Sequence, residues 1–173
     1  NIPALVALAG LLGLTFLYCQ GRILLASTGI PAWREPAILP LIVASGLCEG
    51  SGLLLLIMHI MGIANENGWV LFLFLAFLAY RSYAWMAYRD KLSASRTPKK
   101  TLSVLNGIHP LILWGSNIAP LALLIAALFL SNSTTLLSSI AAVLTVAGGW
   151  YMKFTIVARA SQVQGYSLGK LQK

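Results

Sequence analysis

Glu49 stands in the run "ASGLCEGSGLLLL", deep inside an apolar stretch. Counting about 12 residues at 1.5 Å each places it ~18 Å from the start of that stretch, near the middle of a bilayer if the stretch spans one. A carboxyl group at that depth is costly, and is by default a candidate for function. Two further polar residues fall at comparable depth. Arg81, in "AYRSYAWMAYRD", lies ~13 Å from the nearer end of its own apolar run, and Asn117, in "HPLILWGSNIAP", has a similar depth. Glu49, Arg81 and Asn117 therefore share one layer. Such a layer can relay protons or hold a polar headgroup. It can equally be a buried ion pair, Glu49 with Arg81, that keeps helices in register. The small residues around Glu49, from Ala44 to Gly52, let helices approach closely, so a helix contact is expected there rather than lipid.

Aromatic residues cluster beside these positions. Trp85 and Tyr88 follow Arg81 at i+4 and i+7, on its helical face. They could frame a headgroup, or form an aromatic belt at the membrane interface. The segment "GRILLASTGIPAWREPAILPLI", residues 21–42, is an elbow between two apolar runs. Its glycines permit turns, and Pro31 and Pro36 stop a continuous helix. Arg22, Trp33 and Arg34 in this elbow, with His109, Trp85 and Tyr88, are candidates for headgroup binding or partner docking. His59 and His109 fall at opposite ends of their apolar runs, so they cannot ligate one iron axially and no haem is expected. Cys19 and Cys48 form no CxxC pattern, and an iron–sulfur cluster typically needs four cysteines. Both read as small apolar helix residues.

The elements that carry these residues follow from composition. Hydrophobic residues make up 58% of the chain and charged residues 9%, against about 25% charged in a soluble domain. The apolar runs have the length of membrane helices, about 20 residues. The reading is an all-α integral membrane protein, with residues 1–173 forming one domain of five transmembrane helices near 2–20, 37–63, 69–90, 107–130 and 136–159. All twelve Lys and Arg fall on alternate sides of five such spans. By the positive-inside rule the elbow, the connection 91–106 and the C-terminus face the cytoplasm, and Asn1 faces outside. The net charge of +8 is this bias rather than a nucleic-acid footprint. A basic rim also favours anionic lipid headgroups. The N-x-T sequon at Asn132 sits in a short loop and carries little weight. The chain enters its first apolar run without a methionine or a basic leader, so it reads as a fragment of something longer and not as a signal peptide.

The stretch "CQGRILLASTGIPAWREPAILPLIVASGLCEGSGL" resembles the membrane-anchor subunits of molybdopterin oxidoreductases, the group of the DMSO reductase anchor, polysulfide reductase and NrfD. "GIPAWREP" is most similar to the anchor of the phenylacetyl-CoA:acceptor oxidoreductase type. The likeness covers residues 18–52; the remainder matches in helix pattern. It implies that the five spans are the C-terminal part of a larger, eight-helix anchor in the inner membrane of a prokaryote. It also implies partners: an iron–sulfur electron-transfer subunit and a molybdopterin catalytic subunit holding molybdenum or tungsten. The anchor would exchange electrons with membrane quinone, and would hold no metal itself. Two other classes fit the polar layer, a secondary transporter or ion pathway and a purely structural anchor. No internal inverted repeat, frequent in transporters, is visible.

Overall fold

A computed structural model describes residues 2–27, 29–63, 68–95, 97–130 and 134–161. The described residues contain helices and no strand. They run as α1 (Ile2–Ala26), a single turn α2 (Pro31–Arg34), α3 (Ile38–Ile60), α4 (Trp69–Ala94), α5 (Lys99–Pro110), α6 (Ala119–Phe129) and α7 (Thr134–Phe154). Two π-helical segments interrupt this order: Leu111–Ile118 joins α5 to α6, and Thr155–Arg159 continues α7. Five helical stretches are long and apolar enough to cross a membrane: Ile2–Ala26, Ile38–Ile60, Trp69–Ala94, Lys99–Phe129 and Thr134–Arg159. That is the arrangement of a multi-pass membrane protein. Glu66, Arg96, Asn132, Lys170 and Lys173, which entered the charge count and the sequon, lie outside the described residues.

Helical spacing decides which faces meet. On α3 the buried stripe is Leu41, Ser45, Cys48, Gly52 and Leu55; on α4 it is Phe74, Leu78, Arg81, Trp85, Tyr88 and Leu92. Both follow the three-and-four residue alternation of one helix face. α3 packs on α4 and α7, and α6 packs on α7. α1 lies outside this group against α3, with Gly21 its one buried residue. Most large apolar side chains of α1, and those on the outer faces of the other helices, are exposed, as suits a hydrocarbon solvent; Leu17, Leu24 and Leu25 of α1 are half-buried.

Two apolar clusters result. One, at the elbow end, gathers Ile38, Leu41, Trp85, Tyr88, Leu105 and Ile156. The other, at the far end, gathers Cys48, Leu55, Phe74, Leu78, Leu124 and Ala142. The polar layer lies between them.

The helices extend past the expected boundaries where charged but helix-favouring residues continue the pattern. α4 runs on through Lys91 and Leu92 to Ala94, and α5 begins at Lys99 instead of near residue 107. α5 is amphipathic: Thr101, Leu105 and Ile108 are buried while Lys99, Lys100, Ser103 and Asn106 are exposed. At the far end α3 closes on Gly62, whose φ of 65° is the left-handed conformation that glycine adopts freely. The Ile63 N–H then reaches back to Met58 O at 2.9 Å, which satisfies an otherwise orphaned helix carbonyl.

Candidate functional site

The polar layer is built from four helical stretches. From α3, Glu49 accepts a hydrogen bond at Oε1 from Ser45 Oγ, one turn before it, at 2.8 Å. Its Oε2 accepts from Lys153 Nζ of α7 at 2.6 Å. The pair is mostly enclosed, with side-chain exposures of 14% for Glu49 and 28% for Lys153. This is the sole ion pair among the described residues.

Arg81 of α4 is 1% exposed, and every bond it makes goes to a neutral acceptor. Nε donates to Asn117 Oδ1 at 2.9 Å and Nη1 donates to Thr145 O at 3.0 Å. Nη2 donates to Ser116 O, and more distantly to Ser116 Oγ at 3.5 Å. The Ser116 carbonyl is available for a local reason. In an α-helix it would accept from residue 120, and residue 120 is proline, which has no N–H. The π-helical segment Leu111–Ile118 ends at this point, and π-bulges often mark functional or strained positions. Asn117 Nδ2 and Thr145 Oγ1, beside Arg81, are buried without a hydrogen-bond partner among the described residues.

The expected direct pair between Glu49 and Arg81 is therefore replaced by two separate arrangements: Glu49 with Lys153 and Ser45, and Arg81 with Asn117, Ser116 and Thr145. The proximity of Arg81 and Asn117 agrees with the depth count. Gly149 of α7 lies where the two arrangements meet. A Cβ there would run into Glu49 Oε1 and stand 3.0 Å from Arg81 Nη1. Gly149 is one turn before Lys153, so one face of α7 supplies both the ammonium and the space for the carboxylate.

The elbow is fastened to the bundle at two points. Tyr88 Oη donates to Ala32 O at 2.8 Å, and Trp33 Nε1 donates to Ile156 O at 3.1 Å. The second acceptor is again a product of π geometry. The Ala160 N–H bonds to Thr155 O at 2.8 Å, one residue back from its α-helical partner Ile156, and so leaves the Ile156 carbonyl to the indole. Trp85 Nε1 donates to His109 Nδ1 at 3.1 Å, so a neutral His109 carries its proton on Nε2. Trp85 and Tyr88 are fully buried. The structure places them in the core, in place of an interfacial belt, because each polar tip has a protein partner. Trp33 and His109 are half-buried, whereas Arg22 and Arg34 are exposed.

At the far end His59 Nδ1 is hydrogen-bonded to Ser139 Oγ at 2.9 Å, well away from His109 on the elbow side. Cys19 is exposed and Cys48 buried, both as free thiols. Among the described residues no three His, Cys, Asp or Glu side chains gather as a metal-ligand set.

Lys153, the ion-pair partner of Glu49, is the candidate that the sequence does not single out. In the charge count it stands as one more cation at the end of the last span. The signal was its setting in "YMKFT", six residues before Arg159 and hence ~9 Å inside the helix end. Ser45, one turn from Glu49, was visible only as a small neighbour. Lys153 also lines a pocket of about 270 Å³ that opens sideways between α1, α3 and α7, with Gln20, Ile23, Leu24, Ile42 and Val157. A larger groove of about 440 Å³ between α1, α3 and α4 has no ionisable lining residue. It is the smaller pocket that reaches the charged pair. Chemically, the arrangement offers an ammonium hydrogen-bond donor beside the pocket, backed by a carboxylate.

Comparisons with protein-family models, with curated proteins and with solved structures find no match for this chain.

Proposed function

We propose that this chain is a membrane anchor of the NrfD-like group, linking the quinone pool to an oxidoreductase whose metal centres lie in partner subunits. The observation that carries this reading is the Glu49–Lys153 pair, set within two apolar spans and bordering a pocket open to the side. Quinol oxidation, QH2 ⇌ Q + 2H⁺ + 2e⁻, needs a group in the membrane that can accept protons while the electrons leave. In this reading Glu49 is the carboxylate assigned to that task, and Lys153 and Ser45 hold it in position. Iron–sulfur clusters of one partner and a molybdenum or tungsten centre of another would exchange those electrons, outside this chain. Arg81 and Asn117 take a different role. The guanidinium is enclosed and spent on neutral acceptors, so it ties α4 to the fourth and fifth spans. Tyr88 likewise holds the elbow in place, Trp85 ties α4 to His109 of the fourth span, and exposed Arg22 and Arg34 remain for partner or lipid contact. In this reading the elbow end faces the cytoplasm and the membrane is the inner membrane of a prokaryote.

The test is purification of the chain from its native membranes with whatever it holds. Co-purifying iron with molybdenum or tungsten, and quinol-linked reduction of those centres, is the expected result. A chain that purifies without metal-bearing partners, and moves a solute in proteoliposomes, would replace this reading with a transporter.

A further inference from the structure

The pocket between α1, α3 and α7 has the features of a docking place for the head of a lipid-borne molecule. Its volume of about 270 Å³ lies just under the range of ordinary ligand cavities, about 300–1,000 Å³. It therefore suits a single ring rather than a whole ligand, with the tail left in the hydrocarbon. Its walls are Ile23, Leu24, Ile42 and Val157, and its polar groups are Gln20 and Lys153.

Depth points the same way. The Trp33 hydrogen bond to Ile156 O sets the elbow, with its exposed Arg34, level with Val157. Lys153 lies one turn further in. A head reaching Lys153 is thus held just below the charged end of the bundle, where the carbonyl-bearing head of an amphiphile can remain without carrying charge into the hydrocarbon.

Charge decides which head. Lys153 is already neutralised by Glu49. An anionic head would meet the carboxylate behind the ammonium, and nothing else in the lining is cationic. A neutral acceptor meets no such opposition. An ammonium has three N–H donors, and Glu49 uses one. The larger groove between α1, α3 and α4 offers one hydroxyl, that of Ser51, which already donates to Cys48 O, and no ionisable group, so it does not compete.

We infer that this pocket takes the ring of a membrane quinone, with Lys153 Nζ donating to one ring carbonyl and Gln20 on the facing wall of α1. The inference rests on the anchor reading above and adds a place and a donor to it. Lys153 here touches the ligand while it stays paired with Glu49.

The experiment uses the complex in native membranes and an azido-substituted short-chain quinone as the probe. Photolysis should label peptides from α1 around Gln20 and Leu24, and from α7 around Lys153 and Val157. Val157→Trp, which fills the pocket from its wall, should cut labelling by at least about tenfold and raise the KM for quinol, with iron and molybdenum or tungsten content retained as the sign of assembly. Lys153→Met should lower labelling, and Lys153→Arg should restore part of it. Labelling confined to other helices or to a partner subunit, with quinol turnover intact, overturns the pocket and leaves the anchor reading standing. Full labelling of Val157→Trp does the same. A parental complex with no quinol-linked turnover overturns the anchor reading itself. A phospholipid held in the pocket, found by mass spectrometry and not displaced by the probe, also overturns the assignment.

Discussion

Removing either partner of the Glu49–Lys153 pair should not cost the same. Breaking a fully buried pair by deleting one member costs on the order of 3–5 kcal/mol, because the other charge is stranded. Here the two survivors differ in their escape. Lys153 is 28% exposed and borders the lateral pocket. Six residues separate it from Arg159, about 9 Å along the axis, a distance its flexible stem can largely cover by turning toward the interface. Glu49 is 14% exposed, on a shorter side chain, with Ser45 as its remaining donor. Lys153→Met should thus cost about 2–3 kcal/mol, below the fully buried figure because Ser45 and the partial opening relieve it, while Glu49→Gln should cost about 1 kcal/mol. The double variant should cost less than the sum, leaving a coupling of at least ~1 kcal/mol, about a fivefold change in the unfolding equilibrium. Reversible unfolding of the four proteins in bicelles measures all of this. Equal single costs would refute the snorkelling argument. A coupling near zero would show that the pair contributes no net stability.

Tyr88→Phe leaves the buried Ala32 carbonyl without its donor and should cost about 1–2 kcal/mol, with faster hydrogen exchange across the elbow as the local sign. Pro120→Ala supplies an N–H that competes with Arg81 for Ser116 O; the expected result is lower thermal stability with Arg81 intact, and no change would refute the competition. In detergent, N-ethylmaleimide should modify exposed Cys19 far faster than buried Cys48, read by mass spectrometry of Cys19→Ser and Cys48→Ser proteins; equal rates would contradict the packing of α3. A cysteine placed in the connection 91–106 should react with an impermeant maleimide only from the cytoplasmic side, and labelling from outside would invert the proposed topology.

The number of spans was legible because each needs a continuous apolar run, and charge, proline and asparagine mark the breaks. The shared depth of Arg81 and Asn117 was legible because rise per residue fixes distance along a helix. What depth cannot supply is rotation about the axis, or which distant helix stands alongside. Lys153 becomes the partner of Glu49 only because α7 presents Gly149 and Lys153 on one face toward α3. The roles of Pro120 and Ile156 depend on π registers, and hydrophobic patterning does not reveal those. α4 and α5 outran their expected limits for a simpler reason. Hydropathy reports where lipid contact ends, and a helix continues as long as its residues tolerate helical geometry and its inner face finds partners.

The bond from Trp33 to the carbonyl of Ile156 joins positions 123 residues apart. During synthesis the indole emerges long before its acceptor exists. At about 5–20 residues per second, some 6–25 seconds separate the two. Through that interval the Tyr88 tie to Ala32 can form, but the elbow has no second attachment until the last span has been made and turned to offer its free carbonyl. Closure of the elbow is therefore a late event, and a record that all five of these spans have been inserted. A chain stopped before residue 156 would keep Glu49 and Arg81 but lose Lys153, Gly149 and this fastening together if it ended before α7. An intact elbow would then distinguish copies that have inserted α7 from copies arrested before it.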